Sequence, residues 1–444
     1  MNEIRVNFNN TVGAVKPMHA VNNGPIYKFA VDQRITNIEP WREAGIPYAR
    51  THDASFCSTY GGEHTVDVNN IFTNFDADPY DPASYDFVLT DEYMRVIEHG
   101  GSEPFFRLGS KIEHWQKKYN TLPPKDFKKW AVVCEHIIRH CNEGWANGHH
   151  RNIEYWEIWN EPDLDPDDST HKRCWGGTAK EFYELFEITL THLKIGGPAI
   201  CGKLDWAEAF LAQLKAPLDF FSWHIYAHDV EKITDKVQRV RALLDKYGYE
   251  KTESILNEWN YVLEWKGDAL IYSHQVKTTA KGAAFTLGTM CACQNLGILD
   301  LLMYYDARPS TPWCGIFNFR KIGKPVTTAY YTFPIFNTLY RLGESVVPTG
   351  TEKHVYATAA KNAEATEAAV AFTHFDDDDA AGSRSVSVDL SGFSSENGVE
   401  LEIYRLDDDH ALTKEETVTY FGDRFVYKKE IPNFTSYLLK MRKL

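Results

Sequence analysis

The chain has 444 residues, enough for a large barrel with an appendage, and its 43% hydrophobic and 25% charged content excludes disordered and fibrous classes. Its 47 basic and 62 acidic residues give a formal charge of −15, which repels phosphate backbones and anionic lipid, so neither nucleic acid nor membrane is an expected partner. Aromatic residues make up 14% of the chain, and their flat apolar faces suit sugar rings as well as ordinary cores.

At the N-terminus, residues 1–10 (MNEIRVNFNN) lack the basic and apolar regions of a secretory leader. A cytoplasmic location is expected unless a leader has been removed. Glu3 to Phe8 alternates and reads as a strand, so residues 1–15 are expected to join a sandwich formed later in the chain. Residues 16–342 then alternate short apolar runs with helical patterns, the rhythm of βα units. Strands are expected at Met18 to Asn22, Tyr48 to Arg50 and Pro104 to Leu108. Asp126 to Cys141 has apolar residues at Phe127, Trp130, Ala131, Cys134, Ile137, Ile138 and Cys141, a helical spacing closed by Gly144. A strand follows at Ile153 to Trp159. Thr178 and Glu181 form a capping box ahead of Phe182, Leu185, Phe186 and Leu193, and Ala199 to Gly202 is the next strand. Leu218 to Ile225 is a strand, followed by a helix with Ile233, Val237, Val240 and Leu244 on one face. Glu253 to Leu256, a helix over Gln275 to Leu296 and a strand at Leu299 to Tyr305 complete eight units. The expected fold is therefore α/β, a (β/α)8 TIM barrel.

Beyond residue 343 helical periods give way to short alternating runs such as AAVAFTHF and VELEIYRL, so residues 343–444 are expected to form a C-terminal β-sandwich. The acidic run Asp376 to Asp379 reads as a solvated hairpin tip; a calcium site there lacks identifiable further ligands. The eight cysteines (Cys57, Cys134, Cys141, Cys174, Cys201, Cys291, Cys293 and Cys314) have no zinc spacing and read as reduced, mostly buried thiols. The His149-His150 pair has no carboxylate at ligand spacing and reads as surface. No metal and no cofactor is signalled.

Two glutamates stand out by position. Glu161 lies in YWEIWNEPD, where Pro162 stops the fourth strand and leaves the acid at its C-terminal rim. Glu258, in SILNEWN, follows the apolar run of the seventh. Parallel barrel strands all open their C-terminal ends onto one face, which would aim both carboxyl groups into one pocket. Paired carboxyls are what glycoside hydrolysis needs, one protonated to release the leaving oxygen and one ionised at the anomeric carbon. Either glutamate alone would more simply be a helix cap or a salt-bridge partner. Trp313, Tyr305 and Trp259 are candidates for the aromatic floor, with plain core packing the better account of Trp259.

Together, Asn160-Glu161-Pro162 after the fourth strand and Glu258 ending the seventh resemble the retaining glycosidases built on (β/α)8 barrels. With Arg50-Thr51-His52, His224-Ile225-Tyr226, Cys314-Gly315-Ile316-Phe317 and Gly323-Lys324-Pro325, the chain most resembles glycoside hydrolase family 39, which includes β-xylosidases and α-L-iduronidases. The resemblance implies Glu161 as general acid/base and Glu258 as nucleophile. It implies that Asn160 binds the sugar 2-hydroxyl, that Tyr226 and Arg50 hold the nucleophile ionised, and that His52 and His224 bind substrate hydroxyls. Arg107-Leu108-Gly109-Ser110 departs from the β-xylosidase pattern, which carries an acidic residue in a similar segment.

The activity expected is that of a retaining exo-glycosidase taking an oligosaccharide or glycoside, with a β-xyloside from plant polysaccharide first. The alternatives are a β-glucosidase, β-galactosidase or arabinosidase, or a non-catalytic sugar-binding protein on the same scaffold. Relatives of this kind often assemble, so a homo-oligomer is also compatible with the resemblance.

Overall fold

The computed structural model describes residues 2–27, 36–54, 64–192, 195–309, 311–318 and 325–444. Cys57, Leu193, Gly323 and Lys324 lie outside the described residues.

Eight strands form the barrel: Ala20–Asn22, Tyr48–Arg50, Glu103–Leu108, Trp156–Ile158, Gly197–Ile200, Phe220–Ala227, Glu253–Tyr261 and Leu301–Tyr304. They are called here the first to the eighth strand. Neighbours pair in parallel, the eighth returns to the first, and a single parallel bridge between Glu157 and Gly196 joins the fourth to the fifth. Both faces of these strands are covered, which is why they read as near-continuous apolar runs rather than as alternating ones. The fourth strand takes only Trp156–Ile158 of its expected run; just past it Trp159 turns to a φ of +73° while its N–H still bonds the Leu108 carbonyl at 2.6 Å. Among the described residues, no helix is long and apolar enough to cross a membrane.

The expected single helix over Gln275 to Leu296 is two helices, Gly267–Val276 and Ala280–Leu296. Thr279 is extended between them (φ −103°, ψ 177°), so the chain turns rather than continuing. Gly282 makes the tight junction possible, because a Cβ there would stand 2.4 Å from the carbonyl oxygen of Val276. The second of these helices is buried on almost every side. Its small residues let it lie between the barrel and the terminal sheet, where Asn295 Nδ2 donates to the Ala357 carbonyl at 2.7 Å and Gln294 Nε2 to Ser345 Oγ at 3.1 Å.

The C-terminal strands build two sheets, of seven and of three strands, over a second core that includes Ile4, Val6, Val370, Phe372, Val388 and Leu439. Asn2–Asn7 lies parallel to Arg384–Ser391 in the smaller sheet. The next segment, Thr11–Ala14, pairs with Glu344–Val346 in the larger one, so the N-terminus is stitched into both. The seven described cysteines are free, and all but Cys201 are buried.

Two surface expectations are corrected. The acidic run is no free hairpin tip, because it docks on the barrel. Asp377 accepts from Tyr261 Oη at 2.7 Å and pairs with Lys281 Nζ at 3.0 Å and His228 Nδ1 at 2.9 Å, while Asp379 pairs with Lys281 at 2.8 Å. Four adjacent carboxylates are tolerable there because a nearly buried ammonium faces two of them. His149 is likewise not without a carboxylate: its Nε2 lies 3.1 Å from Asp91, beside His140 and Arg151, whereas His150 is exposed. Asp91 arrives from another helix, so local spacing carried no trace of it.

Candidate active site

The C-terminal ends of four strands converge on one buried cation. Arg50, at the end of the second strand, is fully buried and spends four N–H bonds on four residues: Nε on Glu157 Oε2 (2.7 Å), Nη1 on Glu258 Oε1 (2.8 Å) and Asn22 Oδ1 (3.0 Å), and Nη2 on Asn160 Oδ1 (2.7 Å). Such a planar fork fixes the positions of everything it touches. Glu157 is completed on its other oxygen by Ser222 Oγ at 2.6 Å and by the Asn257 amide. Sequence reading missed Glu157, Ser222 and Asn257; the available signal was an acid in the middle of a buried aromatic strand, YWEIW.

The sixth strand places His224 and Tyr226 two residues apart and therefore on one side of the sheet. The seventh strand supplies Glu258 through a bulge. Trp223 pairs with Leu256, but His224 pairs with Glu258, so Asn257 is the extra residue. The bulge sends the Asn257 amide to Glu157 and brings Glu258 beside His224. Glu258 Oε2 accepts from Tyr226 Oη at 2.9 Å, and His52 Nε2 lies 3.5 Å from its other oxygen. Burial by itself raises the Glu258 carboxyl. Electrostatic interaction with the neighbouring His224, His52 and Arg50 and the Tyr226 hydrogen bond outweigh it, leaving the group below its ordinary value and ionised.

Glu161 is reached by a different device. Its backbone sits at a φ of +47°, unusual for a residue with a side chain, and its N–H is held by the Ala199 carbonyl at 2.8 Å. Gly109 makes room for the turn at Trp159, since a Cβ there would stand 2.9 Å from the Trp159 Cα. His224 Nδ1 lies within hydrogen-bond distance of Glu161 Oε1, at 2.9 Å, and 3.6 Å from Glu258 Oε2. One oxygen from each glutamate and the His224 nitrogen all lie within 4.8 Å of one another. Two carboxyls at such a separation match the spacing of about 5–5.5 Å that permits covalent capture, and are closer than the roughly 6.5 Å or more that leaves room for an intervening water.

Tyr305 and Trp313 stand over this pocket, with ring centres 5.4 Å from His52 and from Tyr226 respectively. Trp259 is fully buried against Phe285 and Tyr304 and belongs to the core. Behind the pocket, Asp53 takes His52 Nδ1 at 3.2 Å, which turns His52 Nε2 toward Glu258. Arg107, in the segment where the β-xylosidase pattern differs, is buried on Asp67 at 2.6 Å and reaches the His52 carbonyl at 3.1 Å.

One consequence concerns pH. Removing the Tyr226 hydroxyl takes away a bond made to the charged form of Glu258, so its pKa rises. In Tyr226→Phe the acid limb of kcat/KM is expected to move to higher pH, with the alkaline limb little changed, in initial rates across pH 3 to 9. An acid limb that stays in place would mean that Glu258 is not the group whose ionisation gates the reaction.

Comparison with known proteins follows the same lines. The sequence profile of Glycosyl hydrolases family 39 matches residues 2–436. A β-xylosidase of Geobacillus stearothermophilus is 32% identical over 158 residues, a match spanning 31% of this chain and only 29% of that relative's length. In fold, the chain superposes on a glucosidase from Croceicoccus marinus with a TM-score of 0.79 at 20% identity, covering 100% of this chain and 99% of that one. A monomeric β-xylosidase from Caulobacter crescentus gives 0.70 at 17% identity, with complete coverage of both chains.

Proposed function

The chain belongs to glycosyl hydrolases family 39, and from that premise we propose that it is a retaining exo-glycosidase acting on a terminal sugar, with a β-xyloside as its substrate. The observation that carries the proposal is the approach of Glu161 and Glu258 to within 4.8 Å on one rim of the barrel.

In the first step Glu258, kept ionised by Arg50 and Tyr226, attacks the anomeric carbon. The bond from that carbon to the leaving oxygen breaks, and the oxygen takes the proton of Glu161. The sugar is then an ester of Glu258, and the negative charge has passed to Glu161. In the second step water attacks the same carbon, gives a proton to Glu161 and releases Glu258. The pocket carries one unit of negative charge from these two acids throughout, which the Arg50 network is suited to balance. Asn160, its Oδ1 occupied by Arg50, has its NH2 end left as a donor for the sugar 2-hydroxyl. Tyr305 and Trp313 supply apolar surface for the ring.

The xyloside assignment is supported by the β-xylosidases among the relatives. A β-glucoside is the second reading, favoured by the glucosidase that superposes at 0.79; the two sugars differ only in the substituent at C5. A panel of 4-nitrophenyl glycosides followed by proton NMR tests both parts. Fastest release from the β-xyloside, with the β-anomer of xylose appearing before mutarotation, is the expected result. First appearance of the α-anomer would overturn the double displacement.

A further inference from the structure

Trp265 lies between the seventh strand and helix Gly267–Val276 and keeps 56% of its surface in water. A lone exposed indole would need no explanation, but Trp265 is not a stray surface residue. Its ring sits 5.2 Å from that of Tyr226 at 75° and 5.8 Å from that of Trp313 at 45°. Tyr226 in turn bonds Glu258. From the nucleophile outward the aromatic surface runs from the half-buried Tyr226 to Trp313 and Trp265, which both touch it; Trp313 is half-buried and Trp265 is exposed. A sugar ring bonded to Glu258 lies at the inner end. A ring lying against the exposed face of Trp265 has Tyr226 between it and Glu258, and belongs to the next unit of the chain.

We propose that Trp265 is the stacking platform for the sugar beyond the scissile bond, the leaving unit on cleavage and the acceptor unit when the step runs in reverse. This rests on the glycosidase reading above and deepens it: the substrate class becomes a glycoside whose leaving group is itself a pyranose, and the enzyme becomes competent in transfer. In transfer, a hydroxyl oxygen of the acceptor bonds to the anomeric carbon of the glycosyl ester. The bond from that carbon to the Glu258 oxygen breaks, and the hydroxyl proton passes to the Glu161 carboxylate.

The test uses partition from that shared intermediate, because damage to Tyr226 slows both branches alike whereas loss of an acceptor platform slows one. The full-length enzyme is given 4-nitrophenyl β-xyloside with xylobiose as acceptor, or the β-glucoside with cellobiose, and the ratio of trisaccharide to free monosaccharide is read by chromatography. In Trp265→Leu, which keeps an apolar side chain but has no ring, the ratio is expected to fall about tenfold. In Trp265→Phe it is expected to stay within about threefold of the parent. A ratio unchanged in Trp265→Leu, even if both branches slow together, overturns the platform and leaves Trp265 as a prop for Tyr226. A parent that hydrolyses but never transfers overturns it too. A parent that releases no nitrophenol from any glycoside of the panel removes the glycosidase reading first.

Discussion

Glu258→Gly is expected to lose between about 10⁴ and 10⁶ in kcat on an aryl glycoside and to regain turnover in sodium azide, releasing a glycosyl azide of inverted configuration. The small anion enters the space left by the carboxylate and attacks the face that Glu258 would have attacked, and no second displacement follows. The variant has good reason to fold, because Glu157 still pairs with Arg50 at 2.7 Å and the buried guanidinium keeps a counter-charge. The companion variant separates the two acids. Glu161→Ala is expected to retain part of its rate on a substrate with a good leaving group, such as 2,4-dinitrophenyl, which needs no proton. Azide then attacks the ester on Glu258 and gives the product of retained configuration. Should the two stereochemical outcomes be exchanged, so are the roles of the two glutamates; should neither variant respond to azide, the double displacement is wrong.

Arg50→Met is expected to cost about 3–5 kcal/mol of stability in urea unfolding, together with essentially all activity, since it strands two buried carboxylates that shared one cation. The size follows from geometry rather than from the salt bridge as such. Glu157 is fully buried and Glu258 nearly so, and the groups that remain on Glu157, the Ser222 hydroxyl and the Asn257 amide, are uncharged. The double variant Arg50→Met/Glu157→Gln removes one stranded charge and is expected to recover a substantial part of the lost stability without recovering hydrolysis. That pattern would place Glu157 as the partner that keeps Arg50 in position. A single variant as stable as the parent would show that the network contributes little.

These expectations draw on two kinds of residue. Glu161 and Glu258 could be singled out as candidates because each follows an apolar run; Glu161 stands just past the fourth strand, whereas Glu258 lies within the seventh, which runs on to Tyr261. Arg50, His52, His224 and Tyr226 could be named through motif resemblance, with Glu258 as the partner of Arg50 and Tyr226, but contacts such as Arg50 to Glu157 and His224 to Glu161 could not. The bulge at Asn257 is the clearest case. Strict alternation along SILNEWN would pair His224 with Asn257, yet the observed register pairs it with Glu258. Nothing in seven letters announces an extra residue, because a bulge is a property of two strands and not of one. Trp265 was overlooked for the same reason: a tryptophan in a polar loop has no meaning until Tyr226 and Trp313 are seen beside it.

Strand and helix rhythm, the switch to short alternating runs past residue 343 and the choice of the two acids as candidates rested on neighbours close in the chain, since periodicity and strand ends are local properties. Where one carboxylate meets another, which cation balances them, how the acidic run at Asp376 to Asp379 docks against Lys281 and which aromatic ring faces the pocket mouth were decided only when the barrel closed. Those facts depend on side chains drawn from strands far apart in sequence, and the burial that makes their charges strongly felt does not exist until the fold excludes water.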